Sequence, residues 1–307
     1  MDSEAGNLVV ILGPTGVGKS RTGLKLALKF AGEIINCDSM QVYRGFDIGT
    51  DKPSLEARRA VPHHLLDVAD PSRQFTAADF VAGALRAVDG ILKRKNLPFI
   101  VGGTGLYFKS LLDGLFPGPG RDPEVRRRLE AEAAEKGLET LFNRLETIDP
   151  AYARKVRSRD KVRIVRALEV FETTGKPISA HFGGTESFVK DFHLVRIGLR
   201  LERPALFKRI EDRVERMFAG GLVEEVSRLL EQGVREDAPP FRALGYRWAL
   251  KFIRNEVGLE EAKARTKLDT RHYAKRQMTW FRKMEGVAWF SPEDDTALEN
   301  HLAKNIE

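Results

Sequence analysis

Short apolar runs alternate with amphipathic stretches through the first hundred residues of the chain. The runs at 8–12, 33–36 and 98–101 are rich in β-branched or aromatic residues, and each ends in a polar or glycine-containing loop. In the stretches 21–30 and 77–93, apolar residues recur at helical spacing. The runs predict buried strands, and the stretches predict helices that cover them. Their alternation predicts a parallel sheet flanked by helices.

The pattern changes after a proline- and glycine-rich break at 116–120. Residues 122–174 are charged and helix-periodic, with almost no strand signal, which predicts a helical insertion. The apolar run 193–199 then predicts a strand that returns to the sheet. We therefore predict a core domain of residues 1–121 and 189–307 and an insertion domain of residues 122–188.

The last third of the chain is helix-periodic and rich in Arg and Lys. The predicted helices are 204–218, 223–231 and 259–282. They should lie over or beside the sheet, because each has one apolar face. The last dozen residues are expected to be loosely held, as chain termini often are.

Residues 13–20 read GPTGVGKS and match the pattern G-x-x-x-x-G-K-[ST] in full, between a predicted strand and a predicted helix. In such a loop the backbone N–H groups converge on phosphate oxygens, Lys19 neutralises them, and the Ser20 hydroxyl can ligate Mg²⁺. The predicted fold is α/β, a P-loop NTPase-like parallel sheet flanked by helices with a smaller all-helical insertion domain. The residues predicted to bind a diphosphate or nucleotide are Gly13, Pro14, Thr15, Gly16, Val17, Gly18, Lys19 and Ser20.

The third apolar run ends without an acidic residue. It continues into Gly102-Gly103-Thr104-Gly105, whereas an NTPase that hydrolyses its nucleotide usually has an aspartate at the end of a later strand to hold Mg²⁺. The difference argues against an ATP motor. It leaves enzymes that hold a diphosphate or a nucleotide for group transfer.

Asp38 follows the second predicted strand, at the edge where open α/β sheets bind ligands. We expect it to face the same crevice as Lys19, as a general base or a metal-binding carboxylate, although an aspartate in this position can also simply cap a turn. The hydroxyl of Thr104 either supports a reacting group or caps the helix that begins near Leu106. The residues alone leave both alternatives open.

Charge and cysteine content narrow the class of protein. Lys and Arg number 51 against 44 Asp and Glu, a net charge of +7, which favours a polyanionic partner such as nucleic acid. The one cysteine, Cys37, excludes an internal disulfide, and no Cys/His cluster has the spacing of zinc ligands. No signal peptide is recognisable and no apolar run approaches the ~20 residues of a membrane span. We expect a cytoplasmic protein, a monomer, with no membrane contact.

Eight segments occur in a fixed order along the chain. They are GPTGVGKS at 13–20, DSMQVY at 38–43, IGTDKPS at 48–54, PHHLLD at 62–67, GGTGLY at 102–107, VRIVRALEV at 162–170, ALGYR at 243–247 and YAKRQMTWF at 273–281. This ordered set resembles the tRNA dimethylallyltransferases, also called tRNA isopentenyltransferases, over nearly the whole chain. One departure is Asp51, where the family pattern has a small residue. The chain also lacks the C-terminal zinc finger of eukaryotic members, so it resembles the bacterial type.

The resemblance implies a reaction and residue roles. A dimethylallyl group would leave dimethylallyl diphosphate and join N6 of the adenosine directly 3′ of the anticodon, at tRNA position 37, giving N6-isopentenyladenosine. Asp38 resembles the base that takes the proton from N6. Thr104 and Arg213 resemble groups that bind the departing diphosphate, a load shared by Lys19, the loop amides and Mg²⁺ on Ser20.

The tRNA-binding residues implied by the resemblance combine cations with aromatic side chains, which suits phosphate contact and base stacking. They are Asp38, Ser39, Met40, Gln41, Thr104, Val162, Arg163, Ile164, Val165, Arg166, Arg242, Gly245, Tyr246, Arg247, Lys275, Arg276, Gln277, Trp280 and Arg282. Without the resemblance, arginine-rich helices are more often solvated faces, and the aromatic residues could belong to the core.

Three other functions stay open at this point. A P-loop kinase would phosphorylate a small molecule with ATP, and it would also have an acid after its second strand. A non-catalytic RNA-binding module would have a vestigial loop, which the intact Lys19, Ser20 and Asp38 argue against. A third class prenylates free adenine nucleotides, but the predicted helical insertion and basic C-terminal helices favour a tRNA substrate.

Overall fold

The computed structural model describes residues 6–116, 118–182 and 185–306; Pro117, in the predicted break, lies outside the described residues. These residues form two compact units, one up to Leu112 and from Val189 onward, the other from Asp113 to Phe188. We predicted that the insertion begins at residue 122, but the second unit begins earlier, at Asp113. The reason is that Arg166 donates hydrogen bonds to the carbonyl oxygens of Pro119 (2.5 Å) and Gly120 (3.1 Å), which ties the segment before residue 122 to the insertion.

The first unit contains one six-stranded sheet in the order β3-β2-β4-β1-β5-β6, with every pairing parallel. The strands are β1 (Asn7–Leu12), β2 (Gly32–Cys37), β3 (His63–His64), β4 (Leu97–Gly102), β5 (His193–Leu199) and β6 (Val287–Phe290). The predicted parallel α/β sheet is confirmed. Sequence patterns missed β3 and β6 at the two edges, because β3 has only two residues, both histidine, and the apolar run of β6 is only four residues long.

Helices surround this sheet and make up the insertion. They are α1 (Lys19–Lys29), α2 (Leu55–Ala60), α3 (Ala77–Lys93), α4 (Gly105–Leu112), α5 (Pro123–Lys136), α6 (Leu138–Ile148), α7 (Pro150–Ala153), α8 (Lys161–Thr174), α9 (Arg203–Ala219), α10 (Leu222–Glu231), α11 (Leu244–Ile253), α12 (Leu259–Phe281) and α13 (Asp295–Lys304). Short 3-10 turns lie at Ile178–His181 and Pro239–Arg242.

The central strand β1 is buried at five of its six positions, and β2 at all six. Burial on both faces is expected of a parallel sheet whose crossover helices cover it. All loops that follow the carboxyl ends of β1, β2 and β4 therefore emerge at one edge of the sheet, since the strands are parallel neighbours. The candidate site lies at this edge.

The C-terminal residues are better ordered than we predicted. Residues 295–304 form α13, whose Asp294 cap accepts a hydrogen bond from the backbone N–H of Ala297 (3.0 Å). Leu298 and Leu302, four residues apart on one face, are buried in the core of the first unit. The expectation of a loose terminus was wrong because it ignored this apolar i,i+4 pair.

The regular secondary structure of the second unit, within its described residues, is helical. Its core contains Leu129, Leu141, Ile164 and Leu168, all inaccessible to solvent. A buried acid, Glu169, accepts hydrogen bonds from the backbone N–H of Asp122 (2.8 Å) and from Arg126, and forms an ion pair with Arg166 at 3.1 Å. Buried charges of this kind need such partners to be tolerated.

Candidate active site

Three loops meet at the carboxyl edge of the sheet. The backbone N–H groups of Gly103 and Thr104, which follow β4, both donate to the carbonyl of Cys37 at the end of β2 (3.2 Å each). In return the N–H of Ser39 donates to the Thr104 hydroxyl at 3.0 Å. The loop after β2 and the loop after β4 are therefore joined side by side, next to the loop after β1.

The loop after β1 has the backbone of a phosphate cradle. Gly16 (φ 79°) and Gly18 (φ 107°) lie in the left-handed region, and Gly18 directly precedes the first residue of α1. Glycine adopts this conformation without strain, which lets the amides at the start of α1 point into the loop. The Nζ of Lys19 donates to the carbonyl of Pro14 at 2.9 Å, so the lysine side chain folds back over the loop.

The environment of the Lys19 ammonium lowers its pKa. Burial lowers its pKa from 10.5 to about 8, against the opposing effect of the Asp38 carboxylate, while the nearby Arg213 lowers it further. A desolvated ammonium gains more from a bound anion than a hydrated one does. Lys19 is therefore placed to respond strongly to a phosphate ligand.

Asp38 uses its two carboxylate oxygens differently. Its Oδ1 accepts hydrogen bonds from the backbone N–H groups of Met40 (2.8 Å) and Gln41 (3.3 Å), the turn-capping arrangement that the sequence left open. Its Oδ2 accepts no hydrogen bond from any other described residue. The turn thus fixes the carboxylate with one oxygen and leaves the other free for chemistry.

Arg213 reaches across from α9 to the phosphate loop. It donates to the Thr15 hydroxyl at 3.0 Å and to the carbonyl of Thr50 at 3.4 Å, and it pairs with Asp51 at 3.5 Å. Asp51 has a positive φ of 56° and a largely exposed side chain. The residue that departs from the family pattern therefore acts as a weak, solvent-exposed partner of Arg213.

Two residues that sequence reasoning missed or misread hold the loop 47–51. The buried Glu225 of α10 accepts from the backbone N–H groups of Asp47 (3.2 Å) and Ile48 (3.0 Å). The Tyr246 hydroxyl donates to Glu225 and accepts from the N–H of Gly49 at 3.1 Å. Glu225 lies on an ordinary amphipathic helix, so no sequence signal could have identified it.

A cavity of about 250 Å³ opens between these groups. Its polar lining residues include Asp38, Arg213 and Thr15, and its apolar ones include Val214 and Met217 of α9. The remaining lining residues are Ser39, Met40, Gly49, Thr50, Arg242, Ala243, Leu244, Gly245, Thr266, Thr270 and Tyr273. A small apolar group attached to an anion fits such a lining, because the lining combines apolar side chains with a cation and hydrogen-bond donors.

The comparisons with known proteins agree with this geometry. The family model of IPP transferases matches residues 41–284. The chain belongs to this family. It is 48% identical to the tRNA dimethylallyltransferase of Geobacter metallireducens, over 94% of this chain and 93% of that protein, and 46% identical to that of Thermomicrobium roseum, over 92% and 85%.

Solved structures of IPP transferases have the same fold. The tRNA isopentenylpyrophosphate transferase of Bacillus halodurans is 40% identical, with a TM-score of 0.72 over 99% of this chain and 97% of that one. A eukaryotic dimethylallyltransferase acting on tRNA is 29% identical, with a TM-score of 0.81 over 98% of this chain and 77% of that one. None of these relatives is a kinase. The resemblance to tRNA dimethylallyltransferases of the bacterial type is confirmed.

The tRNA-binding residues that the IPP transferase pattern implies on α8 do not share one surface. Val162 and Arg163 are exposed, whereas Ile164 and Val165 are buried in the core of the second unit. Arg166 is tied down by the Pro119 and Gly120 carbonyls and by Glu169. Neither the Ile164 nor the Val165 side chain reaches the surface, which argues against the prediction that these side chains contact RNA.

The same correction applies around α11. Tyr246 is fully buried, 4.9 Å from the ring of Phe46, so it cannot stack on a base as we predicted. Gly245 is also buried, although it borders the cavity. Arg247 forms an ion pair with Asp269, while Arg242 is exposed at the cavity wall.

On α12 and just beyond it, the predicted cations are accessible. Lys275, Arg276 and Arg282 are exposed, and none of them forms an ion pair within the described part of the chain. Trp280 is 37% exposed and its ring lies against Gly105. Gln277, by contrast, is buried and bonded to other parts of the site.

The described residues contain no group of three or more His, Cys, Asp or Glu side chains that could hold a metal ion. Ser20, the predicted ligand, is exposed at the start of α1 and offers one hydroxyl oxygen. One hard oxygen suits Mg²⁺ only where a bound diphosphate and water supply the other ligands. Within the described ranges, no helix has the length and apolar character required to cross a membrane.

Proposed function

We propose that this protein transfers a dimethylallyl group from dimethylallyl diphosphate to N6 of the adenosine at tRNA position 37, giving N6-isopentenyladenosine. The observation that carries the proposal is one cavity lined by Asp38, by the phosphate-loop residue Thr15 and by Arg213, which donates to the Thr15 hydroxyl. A base and a leaving-group site on one small, partly apolar cavity are what this transfer requires.

In the proposed reaction the bond between C1 of the dimethylallyl group and the diphosphate oxygen breaks, and a bond between C1 and N6 forms. The N6 proton passes to Oδ2 of Asp38, and the electron pair of the broken bond leaves with the diphosphate. The backbone of the Asp38 turn holds Oδ1, so the base approaches N6 in one orientation. An exocyclic amine is a poor nucleophile, which makes a placed base valuable.

Charge that builds on the departing diphosphate would be neutralised by Lys19, Arg213 and the amides at the start of α1. These groups are held before the ligand arrives, so little reorganisation is needed during the reaction. Thr104 supports the base instead, because its hydroxyl accepts the N–H of Ser39 and so positions the loop that carries Asp38. When bound at Ser20, Mg²⁺ would add positive charge on the diphosphate.

The adenosine must leave the stack of the anticodon loop to reach the cavity, at a cost of a few kcal/mol. We propose that the accessible members of the predicted set supply the compensating contacts: Arg242 at the cavity wall, Lys275, Arg276, Trp280 and Arg282 of the α12 region, and Val162 and Arg163 in the insertion domain of residues 122–188. We further propose that the protein acts as a monomer, in the cytoplasm with its tRNA.

The test supplies purified protein, Mg²⁺ and an unmodified anticodon stem-loop RNA with either radiolabelled dimethylallyl diphosphate or γ-labelled ATP. We expect label to enter RNA from the prenyl donor alone. Transfer of phosphate from ATP to a small acceptor, without prenyl transfer, would overturn the proposal in favour of the kinase. A parallel reaction with free adenosine monophosphate should stay unlabelled, because it lacks the RNA contacts.

A further inference from the structure

Gln277 of α12 bridges the phosphate loop and the loop after β4. Its Oε1 accepts a hydrogen bond from the backbone N–H of Thr15 at 2.8 Å, and its Nε2 donates to the carbonyl of Gly103 at 2.7 Å. The side chain is 6% exposed. It lies so close to Gly103 that a Cβ added there would meet Nε2 at 2.5 Å and the Nζ of Lys19 at 3.4 Å. The carboxamide is thus fixed beside the phosphate-binding lysine.

This contact divides the phosphate loop into a front half, residues 14–15, and a back half, residues 16–20. In the front half, Pro14 has no N–H to offer, the N–H of Thr15 is taken by Gln277, and the Thr15 hydroxyl accepts from Arg213. In the back half, the amides of Gly16, Gly18, Lys19 and Ser20 donate no hydrogen bond to any other described residue. Only the back half and the Lys19 side chain remain available to an anion.

The division matters for the length of the phosphate chain that the loop can hold. In loops of this kind the backbone N–H groups cradle two successive phosphates, and the lysine reaches the second and the third. Because Gln277 lies beside Lys19, a third phosphate reached by that lysine would approach the Gln277 carboxamide, whose oxygen is a buried acceptor already bonded to the Thr15 N–H. Two acceptors facing each other in a desolvated place disfavour binding, since neither is satisfied by the other.

We propose that Gln277 is a specificity-determining residue that limits this loop to two phosphates, so that a diphosphate donor is accepted and a triphosphate is rejected. The inference rests on the proposed function for the identity of the donor. It assigns to Gln277 a role in donor choice, whereas the sequence pattern had placed this residue among the RNA contacts. The generic phosphate-loop motif, shared with nucleotide-binding proteins, cannot make this distinction by itself.

The test measures binding of inorganic pyrophosphate and inorganic tripolyphosphate, each with Mg²⁺ and without RNA, by calorimetry. We expect the unaltered protein to prefer pyrophosphate by about tenfold or more, the equivalent of 1.4 kcal/mol. In Gln277→Ala the preference should fall to within about threefold, chiefly because tripolyphosphate binds better. An unchanged preference in a folded variant would overturn the proposal.

Two further variants test whether a change in preference comes from the Gln277 side chain itself. Gln277→Glu retains the shape and an acceptor for the Thr15 N–H but adds a negative charge, so tripolyphosphate should be rejected more strongly than by the unaltered protein; a smaller preference would count against the role. Thr279→Ala removes a hydroxyl that bonds only to the Lys275 carbonyl of the same helix, and its preference should not change. If Gln277→Ala does not fold, Gln277→Glu decides alone.

The failure of this inference is separable from failure of the proposed function. Prenyl transfer to RNA with an unchanged phosphate preference in both Gln277 variants removes only the role of Gln277. A shifted preference without any prenyl transfer removes the proposed reaction and leaves the two-phosphate limit standing.

Discussion

Residues predicted from sequence motifs lie together at the edge of the sheet, whereas those predicted on helix α8 of the insertion do not. At the edge, residues predicted from distant motifs meet directly: Arg213 bonds to Thr15, and Ser39 bonds to Thr104. On α8, five consecutive residues predicted as one RNA-binding segment, 162–166, divide among solvent, core and a structural clamp. The motifs at the sheet edge thus form one candidate site, whereas the residues of the α8 motif have three different structural environments.

The difference has a geometric cause. A strand followed by a loop fixes where its next residues emerge, and parallel strands bring those residues to one edge. A helix instead turns 100° per residue, so neighbouring positions face different directions. A functional motif on a helix therefore includes residues that support the helix, and these cannot be separated from contact residues without knowing which face is buried.

The largest effect is expected at the sheet edge, from Asp38→Asn. Asparagine retains the Oδ1 acceptor for the Met40 and Gln41 amides but cannot take a proton from N6. Transfer in a single turnover should fall by about 10²–10⁴-fold, while pyrophosphate affinity by calorimetry stays within about threefold. Retention of most of the turnover would remove the base from the account.

Arg213→Ala tests the leaving-group side of the same edge. Losing one fixed donor to the departing diphosphate should lower kcat/KM for dimethylallyl diphosphate by roughly 10²-fold. Lys208→Ala is the matched control on α9, because Lys208 is exposed and pairs only with Asp212. Equal effects of the two substitutions would show that α9 has only a general structural role.

Two substitutions on α8 test whether its residues have structural roles or contact RNA. Arg166→Ala should lower the free energy of unfolding by about 1–3 kcal/mol, because buried Glu169 loses a partner and two backbone carbonyls lose a donor. Arg163→Ala should leave stability within about 0.5 kcal/mol, since its pairing with Asp160 is solvent-exposed.

Arg163→Ala should instead weaken binding of the stem-loop RNA and reduce the salt dependence of that binding by about one phosphate contact. Thermal unfolding and filter binding at several salt concentrations measure the two properties. Should Arg166→Ala weaken RNA binding while leaving stability unchanged, the assignment of structural and contact roles on this helix would be reversed.

The smallest effect is a pH dependence of diphosphate binding. Burial lowers the pKa of Lys19 to about 8, so its charge is present below pH 7 and is lost as the pH rises through 8. Pyrophosphate affinity should therefore decline above pH 8, by at most about tenfold per pH unit. Lys19→Arg keeps its charge in this range, and the comparison of the two proteins cancels the titration of pyrophosphate itself. Parallel declines in both proteins would contradict the role of Lys19.

Sequence patterns predicted the parallel sheet with its flanking helices, and they predicted that Asp38 faces the same crevice as Lys19. These predictions depend on local patterns and on the rule that parallel strands share an edge. The role of Arg213, on helix α9, was implied only by the resemblance to the tRNA dimethylallyltransferases. What could not be predicted depends on partners far apart in sequence: Gln277 bonds to a residue 262 positions away, and Glu225 to one 177 positions away. The spacing of residues within a motif does not encode such a contact. A sequence motif alone therefore does not show which of its residues touch substrate.

The central claim is that the cavity at the sheet edge prenylates one adenine amine. The most direct measurement is mass spectrometry of nucleosides from a stem-loop RNA digested after reaction with dimethylallyl diphosphate and Mg²⁺. The account predicts N6-isopentenyladenosine from the adenosine directly 3′ of the anticodon, and none from an RNA with inosine there, which lacks the amine, or from the Asp38→Asn protein. Product from the inosine RNA, or equal product from Asp38→Asn, would contradict it.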